Sequence, residues 1–149
     1  MTKKIIETAR SELRITLDTL IEEAREVVGE YWLEWRLMNK KLAEEERKQV
    51  VPKYLRGNIA PRITVRTGKT YIEWGVYAPN RYGGRKKNWG DRIAPRKGPI
   101  YRMSQFSKKA QDWEFELIEQ TEKKLRPLRY AMEHIHNSQA YLSRLISKM

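Results

Sequence analysis

Along the first third of the chain, apolar residues recur every three or four positions. The members of this seam are Leu13, Leu17, Leu20, Ala24, Val27, Tyr31, Trp35, Met38 and Leu42. Such spacing places them on one face of a helix, while Glu, Arg and Lys fill the other faces. We expect one helix from Thr2 to about Arg47, weakened at Gly29 and ended before Pro52. A helix of that length is unstable alone, so its apolar face needs a partner.

A second seam of the same kind runs through the last third. Its members are Phe106, Ala110, Trp113, Leu117, Thr121, Leu125, Leu128, Met132, Ile135, Leu142 and Leu145. Ser104 is the predicted N-cap of this helix, and Pro127 is predicted to kink or divide it. The two seams predict an antiparallel helical hairpin, formed within one chain or across a homodimer.

The middle third changes from helical spacing to alternation. Residues 62–66 and 70–77 alternate apolar and polar positions around a turn at 67–69, which predicts a β-hairpin. One face would carry Ile63, Val65, Ile72, Trp74 and Val76. The other would carry Arg62, Thr64, Arg66, Tyr71, Glu73 and Tyr77. Since a lone hairpin is marginal, its apolar face is expected to lie on the helices. Residues 92–94 and 100–102 could add one or two short strands.

Together these elements predict an α+β fold in one domain, 1–149. Residues 1–51 are helical, 52–104 form a basic β and loop region, and 105–149 are helical. The chain has no Cys, which excludes disulfides and thiolate metal sites. It shows no signal peptide and no apolar run long enough to cross a bilayer, so a cytoplasmic protein is expected.

Charge separates the middle region from both flanks. Residues 52–104 hold 13 Lys or Arg against 2 Asp or Glu, a net charge of +11, out of +12 for the whole chain. Localised positive charge of this size indicates nucleic-acid binding, because Lys and Arg displace the counterions of phosphates. The candidate contact residues are Arg62, Arg66, Lys69, Tyr71, Arg81, Arg85, Lys86, Lys87, Trp89, Arg92, Arg96, Lys97 and Arg102.

Aromatic residues are interleaved with these cations. They are Tyr71, Trp74, Tyr77, Tyr82, Trp89 and Tyr101. Rings of this kind stack on bases in single-strand binders, whereas a two-stranded ribbon fits the major groove of duplex DNA. Trp74 is expected in the core. The patch around Trp32 and Trp35 is expected to cover the hairpin, although exposed rings there would mark a partner surface.

The sequence contains few residues that could act as catalytic groups or metal ligands. The basic region contains only Glu73 and Asp91 as carboxylates, too few for the converging ligands of a two-metal nuclease. His134 and His136 stand two residues apart on a helix, so they point to different faces and make a poor metal pair. We therefore expect a protein that is not an enzyme and that needs no cofactor or metal.

Several segments resemble the MobI-like proteins of conjugative elements. They are Ile100-Tyr101-Arg102-Met103-Ser104-Gln105-Phe106, the run from Trp113 to Glu122, Tyr31-Trp32, Ile63-Thr64-Val65-Arg66 and Ile72-Glu73-Trp74. The resemblance covers about residues 23–134. It implies an auxiliary factor that acts at the origin of transfer and helps the relaxase. The expected partners are DNA, double-stranded if the ribbon enters the major groove, and the relaxase or other transfer proteins. The alternative function is a protein–protein adaptor or inhibitor whose basic loop docks on an acidic partner.

Overall fold

The computed structural model describes residues 1–51, 53–77 and 91–149, in which two long helices pack together with a small sheet. Helix α1 spans Thr2–Arg47 and helix α2 spans Asp112–Ser147. Between them lie strands β1 (Ile59–Arg66), β2 (Lys69–Val76) and β3 (Asp91–Ile93), antiparallel and in that spatial order. The predicted α+β class is confirmed.

The two helices pair within one chain and run antiparallel. Arg10 near the start of α1 donates to Ser143 near the end of α2 at 3.3 Å, and Trp35 donates to Glu114 at the other end of the pair. The bounds of α1 are those predicted. The core that the helices share with the sheet includes Leu17, Ile21, Ala24, Val27, Tyr31, Trp35, Ile118, Leu125 and Met132.

The start of α2 differs from the prediction. Ser104 is exposed and lies in a short 3₁₀ helix, Met103–Gln105, while α2 begins eight residues later at Asp112 with Gln111 as its N-cap. The backbone N–H of Gln111 donates to the Glu114 carboxylate at 2.8 Å, which stabilises the helix end there. Phe106 is fully buried in the segment between the two helices, so tertiary packing overrides the helical spacing.

Pro127 does not divide α2, which is continuous from Asp112 to Ser147. Its missing N–H removes one bond of the helical ladder. The buried side chains of Leu125 and Arg129 flank it; Leu125 packs in the core and Arg129 donates to the Ile72 carbonyl of β2. Packing on both sides of the proline therefore keeps the helix in one piece.

The hairpin has the predicted faces and a tighter turn. Thr67 and Gly68 both have positive φ, 49° and 76°, as a two-residue type I′ turn requires, and Lys69 belongs to β2 opposite Arg66. Trp74 is fully buried on the inner face, between Tyr31 and Phe106 at centroid distances of 5.3 and 5.4 Å. Val65, near the turn, is 66% exposed, so the inner face is covered only away from the tip.

Helix α1 lies along the edge of β1. The Tyr31 hydroxyl donates to the Ile59 carbonyl and the Trp32 indole N–H donates to the Pro61 carbonyl, both at 2.6 Å. Because these bonds occupy carbonyls on the outer edge of the strand, they protect the first residues of β1 from pairing with another chain. Trp35 is 6% exposed and lies against the Tyr77 ring, just after β2, and the Glu114 carboxylate of α2, so this part of the aromatic patch is buried.

Of the two further strands considered, the first is β3. Residues 100–102 form no strand, and an isolated bridge joins Lys97 to Ile100 across the turn.

Two glycines with different backbone conformations allow a matched test of how a side chain at each position changes stability. Gly29 lies inside α1 with open space where a Cβ would stand, so Gly29→Ala should raise the free energy of unfolding by about 1 kcal/mol. Gly68→Ala should lower it, because φ of 76° is unfavourable for any side chain. Urea unfolding of both variants measures the two changes, and a destabilised Gly29→Ala would contradict the continuous helix.

Candidate nucleic-acid interface

Three arginines converge on one carboxylate on the outer face of the sheet, opposite Trp74. The Glu73 carboxylate accepts from Arg62 Nε at 3.2 Å, from Arg66 Nη1 at 3.0 to 3.1 Å and from Arg92 Nε at 2.9 Å. Thr64 Oγ1 also donates to it at 3.1 Å. We call this set, Arg62, Arg66 and Arg92 around Glu73, the arginine cluster.

The hairpin register creates the cluster. The tight turn pairs Arg62 directly with Glu73, and alternation places Thr64 and Arg66 on the same face. Strand β3 adds Arg92, which pairs with Gly75 on the other side of β2. Gly75 has no side chain, so the Tyr77 ring and the Arg62 guanidinium can approach its Cα.

The electrostatics of the cluster favour ionised groups. The Glu73 side chain is 3% exposed, while those of Arg62, Arg66 and Arg92 are 25%, 42% and 43% exposed. Burial acts to raise the pKa of Glu73, but the hydrogen bonds from the three arginines lower it on balance. Three guanidinium charges around one carboxylate leave an excess positive charge at the surface.

Tyr71 extends the cluster along the hairpin. The guanidinium carbon of Arg66 lies 4.3 Å from the centroid of the Tyr71 ring, and Lys69 Nζ lies 5.1 Å from it. Lys69 is also ion-paired with Glu133 of α2. Five of the candidate residues thus share one surface of the sheet: Arg62, Arg66, Lys69, Tyr71 and Arg92.

The loop after β3 holds three more candidates. Arg96, Lys97 and Arg102 are exposed, and this loop borders a cavity of about 230 Å³ that reaches Glu73 and Arg92. The Arg102 backbone N–H donates to the Gln105 side chain at 2.9 Å. The remaining candidates, Arg81, Arg85, Lys86, Lys87 and Trp89, together with Tyr82, lie outside the described residues.

Not every ring between the cations is available for stacking. Trp74 and Tyr101 are 0% and 1% exposed, so they belong to the core. Tyr71 and Tyr77 are partly exposed. The sequence therefore identified two rings on the outer face but could not separate Tyr101 from them, because no alternation marks the segment after β3.

The role of Glu73 is missed by sequence reasoning. In the sequence Glu73 is only one of two carboxylates in a basic region, although alternation already places Arg62 and Arg66 on its face. A two-residue turn in place of a three-residue one would have paired Arg62 with Glu73 and predicted the ion pair. Arg92 comes from a third strand, whose register no local signal specified.

Comparison of the sequence with known protein families identifies the family to which the chain belongs. The family model described as MobI protein matches residues 20–143, most of the chain. The chain belongs to the MobI family. No curated protein and no solved structure matches it. Membership in the MobI family relates the chain to mobilisation and conjugation. In the part of this MobI-family chain that the structure describes, no helix has the length and hydropathy needed to cross a bilayer.

The lowered pKa of Glu73 predicts a component of acid sensitivity. A carboxylate whose folded pKa lies below its ordinary value near 4.5 stabilises the fold fully above pH 4.5 and loses that contribution as pH falls through the folded pKa. Glu73→Gln should therefore flatten the fall in unfolding free energy as pH drops below about 4.5. Urea unfolding at several pH values measures it, and parallel curves for variant and parent would contradict the prediction.

Proposed function

We propose that this chain is a DNA-binding auxiliary factor of conjugative transfer that acts in the cytoplasm at the origin of transfer and assists the relaxase. In this proposal it is not an enzyme and cuts no strand itself. The observation that carries the proposal is the arginine cluster. It holds three guanidinium groups in fixed positions on a surface that the helices leave open.

The cluster suits phosphate and base-edge contacts. A guanidinium has five N–H donors, and Glu73 engages one nitrogen of each arginine. Arg66 and Arg92 are both more than 40% exposed and keep donors for an external acceptor. An ion pair with a buried carboxylate restricts their rotamers, so less side-chain entropy is lost on binding.

The ligand in this proposal is duplex DNA. A two-stranded ribbon can enter the major groove, where an Arg fork onto guanine discriminates by about 1–3 kcal/mol. Cations elsewhere on the surface would contact phosphates without reading sequence. Under the proposal, Arg62 and Arg66 supply the specificity, and the cations of residues 81–97 supply general affinity.

A nicking assay tests the auxiliary role. Supercoiled DNA carrying the transfer origin is incubated with the relaxase of the same element, with and without this chain, and the nicked fraction is measured. We expect the chain to raise the nicked fraction, to leave a scrambled origin unaffected, and to nick nothing without the relaxase. Nicking by the chain alone, or no effect on the relaxase, would overturn the proposal.

Matched double variants separate the cluster from general charge. Arg66→Gln with Arg92→Gln leaves Arg62 paired with Glu73, so no buried carboxylate is stranded. Arg144→Gln with Lys148→Gln removes the same charge from exposed positions at the end of α2. The first variant should lose the stimulation of nicking and the second should keep it. Equal loss in both would mean that only net charge matters.

A further inference from the structure

A second concave surface lies between the C-terminal half of α1 and residues 54–57. It is a groove of about 630 Å³, within the range of ligand-binding clefts. Its aromatic lining comes from Trp32, Trp35, Tyr54 and Tyr77. We call it the aromatic groove. Tyr54 lies before β1, outside the alternating stretches at 62–66 and 70–77.

The rings of the groove are held in place from behind. The Trp32 indole N–H is bound to the Pro61 carbonyl at 2.6 Å and that of Trp35 to the Glu114 carboxylate at 2.9 Å. Trp32 meets Trp35 and Tyr77 edge to face, each at a centroid distance of 5.1 Å. Since hydrogen bonds and ring contacts fix these orientations, a flat ligand would bind without ordering them.

The charged part of the lining is cationic. It consists of Arg36, Lys40 and Arg56, and no Asp or Glu lines the groove in the described part of the chain. Arg36 lies 4.9 Å from the Trp32 ring centroid, and Arg56 lies 5.1 Å from that of Tyr54. Arg56 is ion-paired with Glu46 at 2.8 Å, so Arg36 and Lys40 carry most of the positive charge offered to a ligand.

Tyr77 connects the groove to the arginine cluster. Its ring packs on Trp32, while its hydroxyl is hydrogen-bonded to Arg62. Burial alone would lower the pKa of Arg62, but this bond and the charge of Glu73 raise it on balance. The two surfaces are therefore neighbours, and one polynucleotide could contact both.

We propose that the aromatic groove holds an unpaired stretch of DNA strand, with a base against Trp32 and Tyr54 and adjacent phosphates at Arg36 and Lys40. Rings alternating with cations are what stacked bases and their phosphates require. A paired base is stacked on both faces by its neighbours and could not enter. The inference rests on the proposed function in taking DNA as the ligand, and adds that the chain binds a junction of paired and unpaired strands.

A fluorescence titration tests the groove. The probe is an oligothymidylate of eight nucleotides, whose binding near Trp32 and Trp35 should quench tryptophan emission. Tyr54→Leu removes the ring but keeps apolar volume, and it should weaken binding about 5- to 150-fold. Tyr54→Phe should bind like the parent. Tyr141→Leu, at a 60% exposed ring of α2, is the control and should change nothing.

Lys40→Gln tests the phosphate contact, because it removes one charge from the groove and leaves the aromatic rings unchanged. Its salt dependence for the same oligonucleotide should be shallower by about 0.7, the share of one single-strand phosphate. Lys123→Gln, an exposed lysine of α2, should keep the slope of the parent.

The outcomes separate this inference from the proposed function. Binding of duplex origin DNA without binding of the oligothymidylate would overturn the groove and leave the proposed function standing. Failure to bind either would overturn both. Oligothymidylate binding that Tyr54→Leu leaves unchanged would place the single strand elsewhere and overturn the groove. Quenching by a proline-rich peptide but not by the oligonucleotide would assign the groove to a protein partner.

Discussion

Replacing Arg129 by Ala should lower the free energy of unfolding by about 3–5 kcal/mol. Arg129 is 7% exposed and forms a two-point ion pair with Glu122, at 2.8 and 2.9 Å. Its Nε also donates to the Ile72 carbonyl of β2 at 2.9 Å. Glu122 is 1% exposed, so without Arg129 its carboxylate would be left with the Trp74 indole N–H as its buried donor.

A neighbouring arginine supplies the control. Arg126 also approaches Glu122, at 3.6 Å, and donates to the Tyr101 carbonyl at 2.9 Å, but its side chain is 46% exposed, so Arg126→Ala should cost less, about 1–2 kcal/mol. The pair Glu122→Gln with Arg129→Met should cost less than Arg129→Ala alone, because no buried charge remains. Chemical denaturation measures all three. Equal effects of Arg126→Ala and Arg129→Ala would contradict the buried pair.

Replacing Glu114 by Ala should have an effect of similar size, at least about 3 kcal/mol. This fully buried carboxylate accepts from the backbone N–H groups of Asn58, Ile59 and Gln111 and from the Trp35 indole. It thereby joins α1, the start of β1 and the first turn of α2. Its loss leaves several donors buried without an acceptor, each costing about 1–3 kcal/mol.

The control for Glu114 is its exposed neighbour Glu116, whose replacement by Ala should change the unfolding free energy by less than about 0.5 kcal/mol. Burial raises the pKa of Glu114, although its hydrogen bonds act to lower it. Because the folded state then holds the proton more tightly, this group favours folding less as pH rises from about 4.5 through its folded pKa. A variant as stable as the Glu116 control would contradict the proposed junction.

The two helices show which helix boundaries can be predicted from the spacing of apolar residues. The bounds of α1 were predictable because the seam from Leu13 to Leu42 is long and charged residues predominate on the other faces. The spacing failed at the start of α2, since Phe106 stands at a helical interval but is buried in the turn that follows a 3₁₀ helix. The cap that starts the helix depends on Glu114, whose contacts lie on distant segments.

The sequence did not predict which charged residues are buried. Glu114, Glu122 and Arg129 all resemble solvent-facing positions of a helix, yet each is less than 9% exposed. Polar residues are buried where they find partners, and those partners come from β1, β2 and the indoles of Trp35 and Trp74. Such contacts follow from the tertiary arrangement, not from any pattern along the chain.

The candidate interface was predictable in part. Alternation placed Arg62, Arg66 and Tyr71 on one face, and the structure confirms that they share it. No local pattern indicated that Glu73 would hold them or that Arg92 would join them from β3. The aromatic groove was hidden because Tyr54 and Tyr77 are more than twenty residues apart and meet α1 only after the fold has formed.

The salt dependence of duplex binding tests the central claim, that the arginine cluster contacts DNA phosphates or bases. Fluorescence anisotropy with labelled origin duplex gives the binding constant at several stated salt concentrations. The parent and the Arg144→Gln, Lys148→Gln control should share one steep slope. The Arg66→Gln, Arg92→Gln variant should be shallower by up to about 1.8, at about 0.9 for each phosphate that is no longer neutralised. An unchanged slope and affinity for that variant would contradict the account, and a parent that binds no duplex at moderate salt would favour a protein–protein adaptor instead.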